Sequence, residues 1–277
     1  MTDRDRLADD LARRAAELRR TIVTTIHHAG SGHTGGSLSA VDILAVLYGH
    51  VLNVDPSDPH RADRDRFVLS KGHAAPALYA VLAERSFFPK DDLATLRRFG
   101  SNLQGHPSMD KVPGIDLSSG SLGMGLSAAL GMALAARVNG LDYRVYVLCG
   151  DGETNEGQVW EAMMAASKYR PANLTVVIDR NHVQLDGPSD VIMPMGDLAA
   201  KVRAFGLNAV ECDGHSPAEL LEAFDAARAF DDGPTVIVAR TVKGKGVSFM
   251  EGEAAWHGKP ISEDDYARAM AELEDAS

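Results

Sequence analysis

The sequence predicts an α/β fold in which a parallel sheet is covered by helices on both faces. Three observations predict it. The segments "DYRVYVLCGDG", "NLTVVIDRN" and "GPTVIVARTVKGKG" are apolar throughout rather than alternating, as strands buried on both faces are. Stretches with apolar residues at helical spacing separate them, the pattern of strand–helix–strand units. Each run ends in glycine, acid or amide residues, where an open parallel sheet presents its ligand crevice.

In chain order, Leu7, Leu11, Ala15, Leu18 and Ile22 predict an amphipathic helix over residues 7–26, ended by the glycine-rich "GSGHTGGSLS". A second helical run covers "AVDILAVLYGHVL", residues 40–52, and "DPSDPHRADRD" after it reads as a surface loop. A short strand in "DRFVLSKGH" precedes a helix in "AAPALYAVLAERS". The following "GSNLQGHPSMDKVPGIDLSSGSLGMG" is too rich in Gly, Pro and Ser for either element, and loops of that length inside domains are usually functional. "LSAALGMALAARVNG" predicts a helix stopped by Gly140, and "NEGQVWEAMMAASKY" another between the first two long apolar strands. No repeat, low-complexity tract or linker interrupts the chain, so residues 1–277 read as one domain with a tail after about Gly246.

The 277 residues, 45% hydrophobic, suffice for one large core. A formal charge of -11 argues against a nucleic-acid surface, which draws affinity from clustered Lys and Arg. Cys149 and Cys212 form no disulfide framework or metal cluster. The charged N-terminus lacks the apolar core of a signal peptide, and no segment has the apolar length of a membrane span. A cytoplasmic protein is expected.

Asp151, between Gly150 and Gly152, stands at the end of one strand, and Asn181 at the end of the next. A carboxylate and a side-chain amide from adjacent strand ends, joined by a carbonyl from the loop after Asn181 and by phosphate oxygens, make an octahedral Mg²⁺ shell that would bridge this acidic protein to a diphosphate. Taken alone, an Asp-Gly after a strand is more often just a turn.

The stretch "GDGETNEG…IDRN" resembles the Gly-Asp-Gly…Asn signature of thiamine-diphosphate enzymes. "SGHTGG" (31–36), "SKGHAAPALY" (70–79), "GHPSMDKVPG…SSGSLGMGLS" (105–127) and "WHGKP" (256–260) resemble transketolases in the same order. The resemblance runs from about residue 15 to 268 and implies a thiamine-diphosphate-binding fold, specifically the diphosphate-binding domain. It implies metal ligation by Asp151, Asn181 and the carbonyl of Val183, with Mg²⁺, or Ca²⁺ or Mn²⁺ in its place. Cofactor contacts are implied for Gly150, Gly152, Glu153, His73 and the loop residues Gly120, Ser121, Leu122 and Gly123, with Leu122 against the aminopyrimidine. His33 and His257 are implied to face the sugar near its reacting carbons, while His73 and His106 lie by the diphosphate and the hydroxyls of the two-carbon fragment. Glu156 matches an acid of a proton relay between paired active sites.

Beside each stands a plainer reading: loop histidines as exposed polar residues, the glycine loop as a helix lead-in, Glu156 as an acid at a helix N-terminus. His27, His28, His50, His60, His182 and His215 are given structural readings. Lys243 and Lys245 either attract a sugar phosphate or form a solvated basic turn. Two departures bear on donor choice: Thr34 where the family has proline, and Met124 where glutamine is common.

The family's pyrimidine-binding and C-terminal domains find no counterpart in the sequence, so the resemblance is to the N-terminal subunit of a split transketolase. It implies a partner subunit carrying the pyrimidine-binding domain, an α2β2 heterotetramer in which residues 126–138 are candidate contact, and ketol transfer between sugar phosphates. Transfer to a carrier-bound thiol or specialised acceptor, and a non-catalytic scaffold, are the alternatives.

Overall fold

The computed structural model describes residues 2–275. Helix α1 (Asp3–Ala29) opens with a reciprocal cap: the Asp5 N–H donates to Thr2 Oγ1 at 3.1 Å and the Thr2 N–H to the Asp5 carboxylate at 2.6 Å. Leu11, Ala15, Leu18, Ile22 and Ile26 form its buried stripe, and Gly30, at φ 65°, ends it. Helix α2 (Thr34–Val46) starts six residues before the sequence pattern predicts, with the glycine cluster inside its first turn. Packing overrides propensity there: a Cβ on Gly35 would lie 2.9 Å from Lys243 Cγ and 3.0 Å from the Trp256 carbonyl oxygen. A π-turn, Leu47–Val51, closes it.

Strand β1 (Arg66–Leu69) leads to α3 (Ala75–Glu84). The long loop after α3 is tied back to both elements. Tyr79 donates its hydroxyl to the Gln104 carbonyl at 3.0 Å, Asp116 pairs with Arg64 and takes the Phe67 N–H at 2.8 Å, and Ser119 Oγ donates to the Leu69 carbonyl at 2.6 Å. Then come α4 (Met124–Val138), β2 (Val145–Gly150), α5 (Gly157–Tyr169), β3 (Leu174–Arg180), the single turn α6 (Ser189–Ile192), α7 (Leu198–Ala204), β4 (Asn208–Asp213), α8 (Pro217–Ala229), β5 (Thr235–Arg240) and α9 (Glu263–Asp275).

The sheet is five-stranded and parallel throughout, ordered β1-β2-β3-β5-β4. Tyr146, Leu148, Val177 and Ile237 pack on one side with α1, α2, α3, α8 and α9, and Val145, Val147, Val176, Ile178, Val236 and Val238 on the other with α4, α5 and α7. This is the predicted fold, with one strand more than the sequence reading found. "NAVECD" is an edge strand whose side chains are mostly half-buried or exposed, so it lacks the continuous apolar run of its neighbours. Residues beyond Gly246 are also no loose tail. Ile261, Ala269 and Leu273 are buried against α1, and the Tyr266 ring stacks on His27 at 4.2 Å and 7°. Cys149 and Cys212 are free buried thiols. Among the described residues no helix is long and apolar enough to cross a membrane.

Two glycines give opposite expectations. Gly244 has φ 80°, and a Cβ there would collide with the Met250 carbonyl, so Gly244→Ala lowers stability by about 2–4 kcal/mol. Gly131 sits in α4 with nothing within 4 Å of its Cβ position, so Gly131→Ala raises stability by about 0.5–1 kcal/mol. Urea midpoints check both.

Candidate active site

Strands β1, β2, β3 and β5 end at one edge of the sheet, and the segments that leave those ends build one cleft. The in-register pairing of Gly150 with Asp179 places Asp151 and Asn181 side by side, and the Asp151 N–H donates to the Asp179 carbonyl at 3.1 Å. Asp151 is 3% exposed. One of its carboxylate oxygens takes the Gly152 N–H at 2.8 Å; the other takes the His182 N–H at 2.8 Å and the Ser189 hydroxyl at 3.3 Å. His182, at φ 63°, adopts the left-handed conformation that accompanies this amide contact, while its ring is exposed. Burial and the charge of Asp179 raise the Asp151 pKa, and the two backbone N–H groups work against them. Among the described residues no cationic side chain pairs with this carboxylate. Asn181 Oδ1 accepts the Val183 N–H at 3.1 Å.

Beneath them Asp179 and Lys71 form a wholly buried ion pair, 0% and 1% exposed. Ser39 and Thr241 donate hydroxyls to the Asp179 carboxylate, and Lys71 Nζ also donates to the Gly36 carbonyl at 3.0 Å. Burial raises the Asp179 pKa, but the Lys71 charge and these hydrogen bonds outweigh it and hold the carboxyl below its ordinary range.

Lys243 is buried in the cleft, not a solvated turn. Its Nζ donates to the carbonyls of Val183 and Gln184, at 3.2 and 3.1 Å, and to His257 Nδ1 at 2.8 Å. Burial and the charge of Lys71 lower its pKa to about 8. Lys245 is the solvated member, 3.3 Å from Glu251.

The four motif histidines converge: ring centroids lie 5.2 Å apart for His33 and His257, 5.0 Å for His73 and His257, 5.4 Å for His33 and His73, and 6.1 Å for His33 and His106. Burial, reinforced by neighbouring cations, lowers His33 to about 4 and His257 to about 3, and drives His73 well below its ordinary value. Burial and then Arg97 lower His106. The cluster is therefore neutral at pH 7, and since Lys243 donates to His257 Nδ1, that ring carries its proton on Nε2. Unfolded histidines protonate below about pH 6.5 while the folded cluster stays neutral, so it removes stability as pH falls from 6.5 towards about 4. Asp151 and Glu153, raised by burial, act oppositely. Thermal melts of the unloaded chain at pH 7 and 5 show the histidine contribution as a shallower pH slope in His257→Asn.

Asp151, Asn181, Val183, Lys243, His73 and His257, with Lys71, Leu122, Glu153, Gly36, Gly150 and Gly152, line a cleft of about 200 Å³; His33 and His106 stand beside it, outside the lining. Glu153 contributes mainly by bracing: its carboxylate takes the Ser70 hydroxyl, the Gly123 N–H at 2.8 Å and the Gly150 N–H at 3.0 Å, joining the glycine loop to the Gly-Asp-Gly turn. Gly120 lies on His106, 3.2 Å from the position of a Cβ to His106 Cδ2, while Ser121, Leu122 and Met124 are exposed at the rim. Glu156 is exposed at the start of α5, outside the lining. A wider groove of about 730 Å³ along α1, between Glu17 and His28 and facing Lys90–Ala94, shares none of these residues.

The sequence reading missed Lys71. The signal was Asp179, an acid inside a strand apolar on both faces, which demands a buried counter-charge. Among the described residues no three His, Cys, Asp or Glu side chains converge as metal ligands. That leaves the mixed oxygen set of Asp151, Asn181 and the Val183 carbonyl. It suits a hard divalent cation, and the buried Asp151 carboxylate, which has no cationic partner among the described residues, is what such a cation would neutralise.

A family model described as "Transketolase, thiamine diphosphate binding domain" matches residues 11–274. A 6-deoxy-6-sulfo-D-fructose transketolase subunit from Clostridium sp. (strain MSTE9) is 44% identical over 265 residues, covering 96% of each chain. An apulose-4-phosphate transketolase subunit from Phocaeicola vulgatus is 41% identical over 92% of this chain and 90% of that one. The chain also resembles Homo sapiens transketolase at 42% identity, spanning 94% of this chain but 41% of that relative. The transketolase structure from Leishmania mexicana superposes with a TM-score of 0.90 at 32% identity, over 95% of this chain and 41% of that one.

Proposed function

The chain belongs to the transketolase family, sharing its thiamine diphosphate binding domain, and on that premise we propose that it is the diphosphate-binding subunit of a split transketolase. The observation that carries the reading is the buried Asp151 carboxylate, without a cationic partner among the described residues, beside Asn181 and the Val183 carbonyl.

Asp151, Asn181 and Val183 would hold Mg²⁺, with Ca²⁺ or Mn²⁺ as substitutes, against the cofactor's diphosphate. Gly150 and Gly152 allow close backbone approach, and Lys243 supplies positive charge at the same end. Bound there, thiamine diphosphate would supply the nucleophilic-carbon chemistry for moving a two-carbon ketol unit. The chain's own residues bind and move protons. His33 and His257, neutral at pH 7, accept or donate at the sugar hydroxyls and the reacting carbonyl. His73 and His106 serve the cofactor side and the hydroxyls of the ketol unit, which favours a hydroxylated donor. Gly120, Ser121, Leu122 and Gly123 form the platform on which the pyrimidine end rests, with Glu153 fixing that platform. Glu156, exposed beside Gly123, is placed for the relay between paired sites.

The pyrimidine-binding domain comes from a partner subunit, and the assembly is an α2β2 heterotetramer in the cytoplasm. The two subunit relatives are named for a sulfonated and a phosphorylated sugar, so the substrate class is a ketose donor and aldose acceptor with an anionic terminal group. The test is ketol transfer from xylulose 5-phosphate to ribose 5-phosphate with thiamine diphosphate and Mg²⁺. Turnover is expected only when the partner is present. Cofactor binding by the mixture without sugar product redirects the reading to a thiol or specialised acceptor; no cofactor binding contradicts it.

A further inference from the structure

Asp42, on α2, is 4% exposed and lies outside the cleft lining. Its carboxylate pairs with Arg19 and lies 2.6 Å from His215 Nδ1. The Val242 N–H donates to His215 Nε2 at 2.8 Å. Because Nε2 accepts, the ring proton sits on Nδ1 and points at Asp42. Arg19 Nε–H meanwhile donates to the Lys245 carbonyl at 3.1 Å. The two arms of one buried carboxylate thus hold residues 242 and 245, on either side of Lys243. Gly244 completes the clamp by donating its N–H to the Gly35 carbonyl at 3.0 Å.

We propose that Asp42 is a positioning residue for the cleft: through the His215 tautomer and Arg19 it fixes the segment that delivers Lys243 to the diphosphate end. This rests on the reading of the cleft as a diphosphate site. His215 is then part of that device. Asp42 stays ionised for the role, because His215 and Arg19 outweigh the burial that opposes its charge.

The experiment measures thiamine diphosphate affinity by calorimetry, with Mg²⁺ and the partner subunit, for wild type, Asp42→Asn, Lys243→Met and the double variant. Arg19 and His215 both donate to one oxygen of Asp42, Oδ2, so asparagine keeps the volume and an acceptor there but replaces two charge-assisted hydrogen bonds by weaker neutral ones. Asp42→Asn is expected to weaken binding about tenfold in the wild-type background and by less than about twofold in Lys243→Met. ¹⁵N spectra of the wild type are expected to show the His215 proton on Nδ1; a proton on Nε2 overturns the proposal. Should Asp42→Asn not fold, His215→Ala, which removes one arm and keeps the Asp42–Arg19 pair, enters the same cycle. Additive effects, or unchanged affinity in the single variant, overturn the proposal. Failure of wild type to bind the cofactor instead strikes the diphosphate reading, and the proposal falls with it.

Discussion

Asp151→Asn will abolish cofactor-dependent turnover, lowering it about a thousandfold, while leaving the unloaded chain folded. Loss of a hydrogen bond supporting a metal ligand costs about ten- to a hundredfold, and removal of a ligand's charge costs more. The carboxylate is buried, paired with no cation among the described residues, and raised in pKa by burial and by Asp179. In the unloaded chain two changes offset each other. The amide loses an acceptor for one of the N–H groups of Gly152 and His182, at about 1 kcal/mol, while the repulsion with Asp179 disappears. The unloaded melting temperature should therefore move little, and the rise that wild type shows on adding thiamine diphosphate with Mg²⁺ should vanish. A variant that keeps that rise would remove Asp151 from the metal site.

Lys71→Met is expected to cost more stability than any other single change considered, about 3–5 kcal/mol, because it leaves a buried carboxylate without its cation. The Ser39 and Thr241 hydroxyls remain, but hydroxyl dipoles do not replace a charge. The pH dependence should invert. In wild type the Asp179 pKa is lowered, so its stabilisation is present above its unfolded pKa and is lost as pH falls through the folded value. Without Lys71, burial dominates and raises that pKa, so acidification from pH 7 to 5 should recover stability. Lys71→Met with Asp179→Asn should restore much of the loss at pH 7. Urea midpoints of the two variants at both pH values decide this; equal losses in single and double variants would mean the pair is not the source.

The chemistry stood closer to the surface of the sequence than its support did. Asp151 and Asn181 were legible because strands apolar on both faces announced a parallel sheet, and such sheets bind ligands at strand ends. The four histidines were legible from their glycine-flanked motifs, and the fold brings all four rings together. Lys71 was not, because a lysine after a strand reads as a solvated turn until its partner Asp179 is seen below it. Lys243 stayed open between two readings for the same reason: its burial depends on α2, whose Gly35 admits it from some two hundred residues away. Strand β4 and the early start of α2 were hidden because an edge strand is half polar and glycines mask a helix. Tertiary contacts decide both.

The structure of the complex with its partner, thiamine diphosphate and Mn²⁺, recorded at the manganese absorption edge, tests the metal assignment most directly. The prediction is one anomalous peak per cleft, about 2.1–2.3 Å from oxygens of Asp151, Asn181 and the Val183 carbonyl and shared with the diphosphate, with Lys243 Nζ moved off that carbonyl. A peak elsewhere, or a bound diphosphate with no metal between it and Asp151, would contradict it.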